Sequence, residues 1–172
     1  FNNQGGYSKG IYKSLNCGLG SKDKKVNVLK NLEIIQNKIG CKKKNLIMLH
    51  QIHSNKFYHI NKAPNKKVFG DGLITKKNGL ALSVLTADCA PILIYDKKTR
   101  MIGAVHAGWK GAYKKIVVKT LKYFLKKNSK KENIIVVIGP CIAQKNYEVK
   151  SDFYRKFINQ DKNNRIYFRK FK

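Results

Sequence analysis

Arginine is the conspicuous shortage in this chain. Four arginines stand beside 33 lysines, within 37 basic and 9 acidic residues and a formal net charge of +28. Such a charge by itself points to a polyanionic partner, either nucleic acid or an anionic membrane surface. Arginine, however, is the side chain that grips phosphate and reads base edges through a bidentate fork. Its scarcity argues against a specific nucleic-acid partner. Lysine, the 17 asparagines and the 18 isoleucines all have A/T-rich codons, and the lysines are spread along the whole chain. A solvated lysine-rich surface accounts for them, with only salt-sensitive, nonspecific attraction to polyanions.

Cysteine is sparse as well. Cys17, Cys41, Cys89 and Cys141 lie far apart and form no CxxC pair. That excludes a disulfide framework and a zinc ribbon, and it suits a reducing, cytoplasmic compartment. Three prolines leave no proline-rich linker. There is no internal repeat, no low-complexity segment and no run approaching the roughly 18–20 apolar residues of a membrane span. No secretory signal is visible. The chain opens on Phe1 rather than methionine, so a trimmed chain is expected.

What is present suffices for one globular domain: 172 residues, 42% of them apolar. Residues 1–20 are rich in glycine and asparagine and read as loops. Val28, Leu32, Ile35 and Ile39 make one apolar stripe, predicting a helix over 22–39 that Ser21 caps and Gly40 stops. Strands are predicted over 45–52, 56–60, 73–75, 80–85, 91–95, 101–105 and 134–138, and 61–70 reads as a loop. Segment 80–85, with 101–105 as its partner, is apolar almost throughout, which implies burial on both faces. Helical spacing returns over 111–127, where Tyr113, Val117, Leu121 and Phe124 share a side. Lys114, Lys115, Lys119, Lys122 and Lys126 lie mostly opposite and read as a solvated face. A helix over 151–159 and a strand over 165–168 follow. The class is α+β, with mixed β-sheet layers covered by helices.

The chemistry gathers at strand ends, where loops meet. The histidines are His50, His53, His59 and His106. His53 closes the segment Gln51-Ile52-His53, and His106 opens His106-Ala107-Gly108-Trp109. Cys89 sits between two apolar strands, in Thr86-Ala87-Asp88-Cys89-Ala90-Pro91. Imidazole, thiolate and imidazole form a good donor set for Zn2+, and three ligands leave a fourth position open for a water of lowered pKa. The separations, 36 residues from His53 to Cys89 and 17 from Cys89 to His106, require the fold to assemble the set. The same atoms allow a different reading: Cys89 and His106 as a thiolate–imidazolium pair, with Asp88 orienting the imidazole. Cys141, after Gly139-Pro140, reads as a small buried residue at a tight turn.

These segments resemble a known family. Thr86-Ala87-Asp88-Cys89-Ala90-Pro91, His106-Ala107-Gly108-Trp109-Lys110-Gly111, Gly139-Pro140-Cys141-Ile142 and Tyr147-Glu148-Val149 are similar to signature blocks of the YfiH family. Gly5-Gly6-Tyr7-Ser8, Ser14-Leu15-Asn16, Gln51-Ile52-His53 and Asp71-Gly72-Leu73 resemble its earlier blocks, in the same order. The family is also known as multicopper polyphenol oxidase (laccase), as peptidoglycan editing factor, and as the purine nucleoside phosphorylases related to laccase domain-containing protein.

The resemblance implies a single YfiH-like domain over 1–172 that lacks part of the family's amino- and carboxy-terminal ends. It implies a metal site of His53, Cys89 and His106 holding Zn2+, with Cu2+ as the alternative. It implies phosphorolysis of adenosine, inosine, guanosine and methylthioadenosine, together with adenosine deaminase activity. Asp88, Cys89 and Lys110 are the candidate catalytic residues. Lys110 and Asn16 are the candidate substrate contacts, Lys110 as a phosphate anchor standing where the family often has arginine. The substrates expected are purine nucleosides and phosphate. Alternatives are a copper-dependent polyphenol oxidase, a hydrolase editing peptidoglycan precursors and, from another class, a basic nucleic-acid-binding module.

Overall fold

Val28, Leu32 and Ile35 turn one apolar face inward on α1 (Lys25–Lys38) in the computed structural model, which describes residues 1–170. Gly40 follows the helix at φ +64°, the left-handed conformation that closes helices at little cost to glycine. Two details differ from expectation. Lys24, not Ser21, takes the N-cap position and makes no side-chain bond, and Ile39 falls outside the stripe and is exposed.

Seven strands follow: β1 (Leu46–Met48), β2 (Phe57–His59), β3 (Gly72–Thr75), β4 (Ala81–Ser83), β5 (Ala90–Asp96), β6 (Ile102–Ala107) and β7 (Ile134–Ile138). Five form a sheet in the order β2-β3-β6-β5-β7, parallel between β2 and β3 and antiparallel elsewhere. β1 and β4 form a separate parallel pair. The mixed sheet expected from the sequence is therefore present. The expected partnership of 80–85 with 101–105 is not: β4 pairs with β1, while β6 lies between β3 and β5.

Side-chain alternation stacks these elements. Ile74, Ile92, Ile94 and Val105 leave one face of the five-stranded sheet and meet Ile116 and Phe124. Leu73 leaves the other face and packs with Ile47, Leu49 and Leu82 from the small sheet. The outer side of that small sheet, through Leu46 and Met48, packs on Val28 and Leu32 of α1. The order of layers is helix, five-stranded sheet, two-stranded sheet, helix.

The helix predicted over 111–127 is broken. α2 (Trp109–Tyr113) ends at Lys114, Lys115 adopts φ +59°, and α3 (Ile116–Lys126) starts afresh. The break turns Ile116 fully into the core, so burial outweighs the strain of a left-handed lysine. Strand β7 forms as predicted but is not buried: Ile135, Val136, Val137 and Ile138 are all exposed, and among the described residues the strand pairs with β5 alone. An apolar run marks a strand without saying what covers it. α4 (Ser151–Gln160) matches the predicted helix. The strand predicted over 165–168 is instead part of a 3-10 helix, Lys162–Tyr167, whose start is capped by Asp161 accepting from the Asn163 N–H.

Two buried polar side chains fix loops. Asn31 is fully buried on α1; its amide nitrogen donates to Ser8 Oγ, Ser14 O and Asn16 O, and its Oδ1 accepts from the Tyr7 N–H at 2.7 Å. Asp96 shapes the β5–β6 turn, where its Oδ1 accepts from the Lys98 and Thr99 N–H groups at 2.8 and 3.0 Å. Burial opposes its charge. The Ser129 and Thr99 hydroxyls beside it, short of ideal hydrogen-bond geometry, and those amides outweigh burial and push its pKa down to about 2.

Asn31→Leu should lower stability by about 2–3 kcal/mol, because it strands buried partners, and the shift in urea midpoint measures this. Asp96 stabilises the fold above its ordinary value of 3.8 and loses that contribution as pH falls towards about 2. The gap in urea midpoint between the native protein and Asp96→Asn should therefore be open at pH 7 and close by pH 2.

Candidate metal centre

The antiparallel pairing of β5 and β6 sets the site. His106, the penultimate residue of β6, lies opposite Pro91, and Ala107 opposite Ala90, so Cys89 sits just before β5 at the end of the sheet where β6 finishes. β3 begins at the same end, with Gly72 opposite Val105. His53 arrives from the bend that follows β1 and adopts φ +55°. A single side chain splints the two ligand loops: Gln51 Nε2 donates to Leu85 O at 2.8 Å, and the Leu85 N–H donates to Gln51 Oε1 at 2.7 Å.

The ligating atoms of His53, Cys89 and His106 lie within 4.8 Å of one another. Cys89 Sγ is 3.9 Å from His53 Nε2. A tetrahedral zinc ion needs such donors about 3.3–3.6 Å apart, so small side-chain movements complete the set. Gly108 reinforces the fit. A Cβ there would lie 2.8 Å from His53 Cδ2, 3.0 Å from Cys89 Sγ and 3.5 Å from His106 Cε1. The missing side chain leaves open the space that the three donors surround.

Asp71 orients the His106 imidazole and fixes the backbone at His53. It is fully buried, and its Oδ1 accepts from His106 Nδ1 at 2.9 Å and from the His53 N–H at 3.0 Å. Its Oδ2 accepts from the Ser54 N–H and hydroxyl, each at 2.6 Å, and its carbonyl accepts from the His106 N–H at 2.7 Å. With Nδ1 donating to a carboxylate, His106 presents Nε2 as its lone-pair donor, the arrangement that raises ligand basicity in metal sites. The bond to the His53 N–H holds that residue in its left-handed conformation. Burial would raise the Asp71 pKa; the Ser54 hydroxyl, His106 and the two amides outweigh it and hold the carboxyl below its usual range.

Burial, with the charges of Asp88 and Asp71 adding to it, pushes the Cys89 thiol up. A thiolate, whether nucleophile or metal ligand, forms against this shift. The orienting carboxylate on His106 is Asp71, and Asp88 is an exposed residue whose carbonyl accepts from the Ile142 N–H at 2.9 Å. The thiolate–imidazolium reading therefore loses Asp88 as its orienting group, and Asp71 takes that place.

The sequence model of the family described as multi-copper polyphenol oxidoreductase laccase matches residues 1–172. The chain belongs to this family. Among curated relatives of this laccase-like family, a purine nucleoside phosphorylase of Rickettsia conorii is 37% identical over 149 residues, covering 84% of this chain and 61% of the relative. One from Bacteroides thetaiotaomicron is 34% identical over 164 residues, covering 90% and 61%. Two solved structures superpose with a TM-score of 0.86. One is a Neisseria meningitidis protein described by the family model DUF152, with 28% identity and coverage of 95% of this chain and 65% of that one. The other is a Bacillus licheniformis hypothetical protein YfiH, with 27% identity and coverage of 92% and 63%. The chain thus spans about 60% of the length of the curated relatives it matches.

Of the other residues singled out in this family member, Lys110 is exposed on α2 with its ammonium 5.6 Å from the centre of the Trp109 ring. Asn16 has its amide committed elsewhere: Nδ2 donates to Ser21 Oγ and Asp23 Oδ2, and Oδ1 accepts from the Gly18 N–H, all at 3.0 Å. It orders the amino-terminal loop. Cys141, expected to be buried, is exposed. Asp71 and Gly108 were visible only as members of family blocks, because their roles depend on contacts made by the fold. Tyr147 also belongs to the site's surroundings: burial, then the charges of Cys89 and Asp88, push its hydroxyl up.

Gly108→Ala should sharply reduce bound metal while leaving the thermal midpoint nearly unchanged, read as zinc per chain. Asp71→Asn keeps the shape but loses the charge, and metal affinity should fall about 10–100-fold in a chelator competition.

Proposed function

We propose that this protein is a zinc-dependent purine nucleoside phosphorylase, acting on adenosine, inosine, guanosine and methylthioadenosine, with adenosine deaminase activity at the same centre. The observation that carries the reading is the His53–Cys89–His106 donor set, closed around Gly108 and oriented by Asp71. The names of the curated relatives, at 32–37% identity, supply the substrate class.

In phosphorolysis a phosphate oxygen forms a bond to the anomeric carbon as the glycosidic bond to the purine breaks, and the leaving base takes up a proton. His53, Cys89 and His106 hold the ion. A zinc ion held there would supply Lewis acidity. Lys110 anchors the phosphate by its charge, in the first turn of α2 and in the same signature segment as His106. Asp88, exposed beside Cys89, carries the proton. In deamination the same carboxylate serves the water that replaces the amino group at C6. The free thiols suit a reducing, cytoplasmic setting, and none of the described helices is long and apolar enough to cross a membrane.

Copper enters through the family's description. The described residues hold one cluster of this kind, whereas four-electron reduction of oxygen generally draws on several coupled copper centres, so zinc is preferred.

Protein purified without added metal should carry about one zinc per chain, as a three-ligand site predicts; finding none, or copper alone, overturns the reading. Inosine with phosphate should release hypoxanthine, and Cys89→Ala should abolish the release. Equal release by the variant would place the activity elsewhere.

A further inference from the structure

An aromatic flank runs beside the metal centre. Beyond the last paired residues of β5 and β7, Ile92 and Ile138, the two chains stay together: the Gly139 N–H donates to Pro91 O at 2.8 Å, and the Ile142 N–H donates to Asp88 O at 2.9 Å. Segment 139–142 is thereby fastened alongside Cys89. A 3-10 turn, Gln144–Asn146, follows it, and the Tyr147 N–H closes that turn on Gln144 O at 3.2 Å. Gln144 Nε2 donates in turn to Tyr167 O at 2.7 Å. The backbone that carries Tyr147 is therefore set before any ligand arrives.

The rings continue the connection. Trp109 follows Gly108, around whose Cα the three donors gather, and its ring centre lies 5.2 Å from that of Phe153. Phe153 meets Tyr147 at 6.0 Å with the planes 79° apart, an edge-to-face contact. The Trp109 ring is already taken: Phe153 adjoins it, and the Lys110 and Lys156 ammonium groups lie 5.6 and 5.4 Å from its centre.

Tyr147 differs. One edge-to-face contact covers at most one face of its ring, and the cation–ring contacts among the described residues fall on other rings. It keeps 41% exposure. Burial, with the charges of Cys89 and Asp88 behind it, pushes the hydroxyl up, so the ring stays a neutral phenol within electrostatic reach of the ligand loop. Packing accounts for the rings of Trp109 and Phe153 but not for an open aromatic face at this place. Purine bases are flat, and such rings stack on aromatic side chains.

We infer that the open face of Tyr147 is the platform on which the purine base stacks, beside the Cys89 loop. The inference rests on the phosphorylase reading and names a residue that holds its substrate.

The test measures binding of hypoxanthine, the base released from inosine, by equilibrium dialysis against the protein as purified, with zinc per chain and thermal midpoint recorded. Tyr147→Leu keeps bulk against Phe153 but removes the flat ring. Its dissociation constant should rise by about 10-fold or more, the scale of one lost base–aromatic stack, at unchanged metal content. Tyr147→Phe restores the flat ring and should rescue that loss. Native-like binding by Tyr147→Leu, or equal loss in Tyr147→Phe, overturns the platform, as does a native protein that binds no hypoxanthine. A second measurement needs no variant. Hypoxanthine should slow nitration of Tyr147 by tetranitromethane, located by mass spectrometry, with Tyr7 and Tyr167, 53% and 67% exposed, as controls. Equal nitration with and without the base overturns the platform as well. Failure of the phosphorylase reading looks different. Hypoxanthine bound through Tyr147, with none released from inosine and phosphate, keeps the platform and overturns that reading. Release by the native protein, with binding indifferent to the Tyr147 ring, does the reverse.

Discussion

One buried carboxylate holds the candidate centre together. Asp71 stands before β3 and reaches across to β6, where it meets His106 through both its backbone and its side chain. The same carboxylate accepts from consecutive residues of the loop that carries His53. A charge with no exposure to solvent is tolerable only when its lone pairs are filled by well-placed donors. Here the donors are the His106 ring and the backbone that carries His53, so the electrostatic demand of Asp71 and the geometry of the site are one constraint. Ser54 contributes its hydroxyl to this arrangement.

The layers around the centre serve the same end. The helix-covered face of the large sheet buries β6 almost completely, which leaves His106 little rotational freedom. The second face is only partly covered. Leu73 is sealed by the small sheet, while Leu93, Ile135 and Val137 towards β7 remain exposed.

What the sequence revealed follows from the range over which each signal acts. The stripe on α1 and the apolar runs of β5 and β6 are local, and they were legible. The left-handed Lys115 was not, because nothing in a lysine marks a turn; only the destination of Ile116 in the core explains it. Among the described residues β7 lies at the sheet edge, and no local pattern reports that position. His53, Cys89 and His106 could be grouped by ligand chemistry and by the signature segments around them. Asp71, in an Asp-Gly pair, looks like an ordinary turn residue until β3 and β6 are paired. Gly108 is one glycine among 13 until the space over its Cα is seen to be ringed by three donors.

The Gln51 splint has a thermodynamic corollary. Its amide imitates a strand partner for Leu85, donating and accepting at once, and so holds the His53 loop against the segment leading to Cys89 before any ion arrives. In small zinc domains the cation must organise a floppy polypeptide, and most of its binding energy is consumed in folding it. Here the polypeptide is already organised by its own amides. A chelator should leave such a scaffold intact, and little of the binding energy of a metal there would be consumed in folding it.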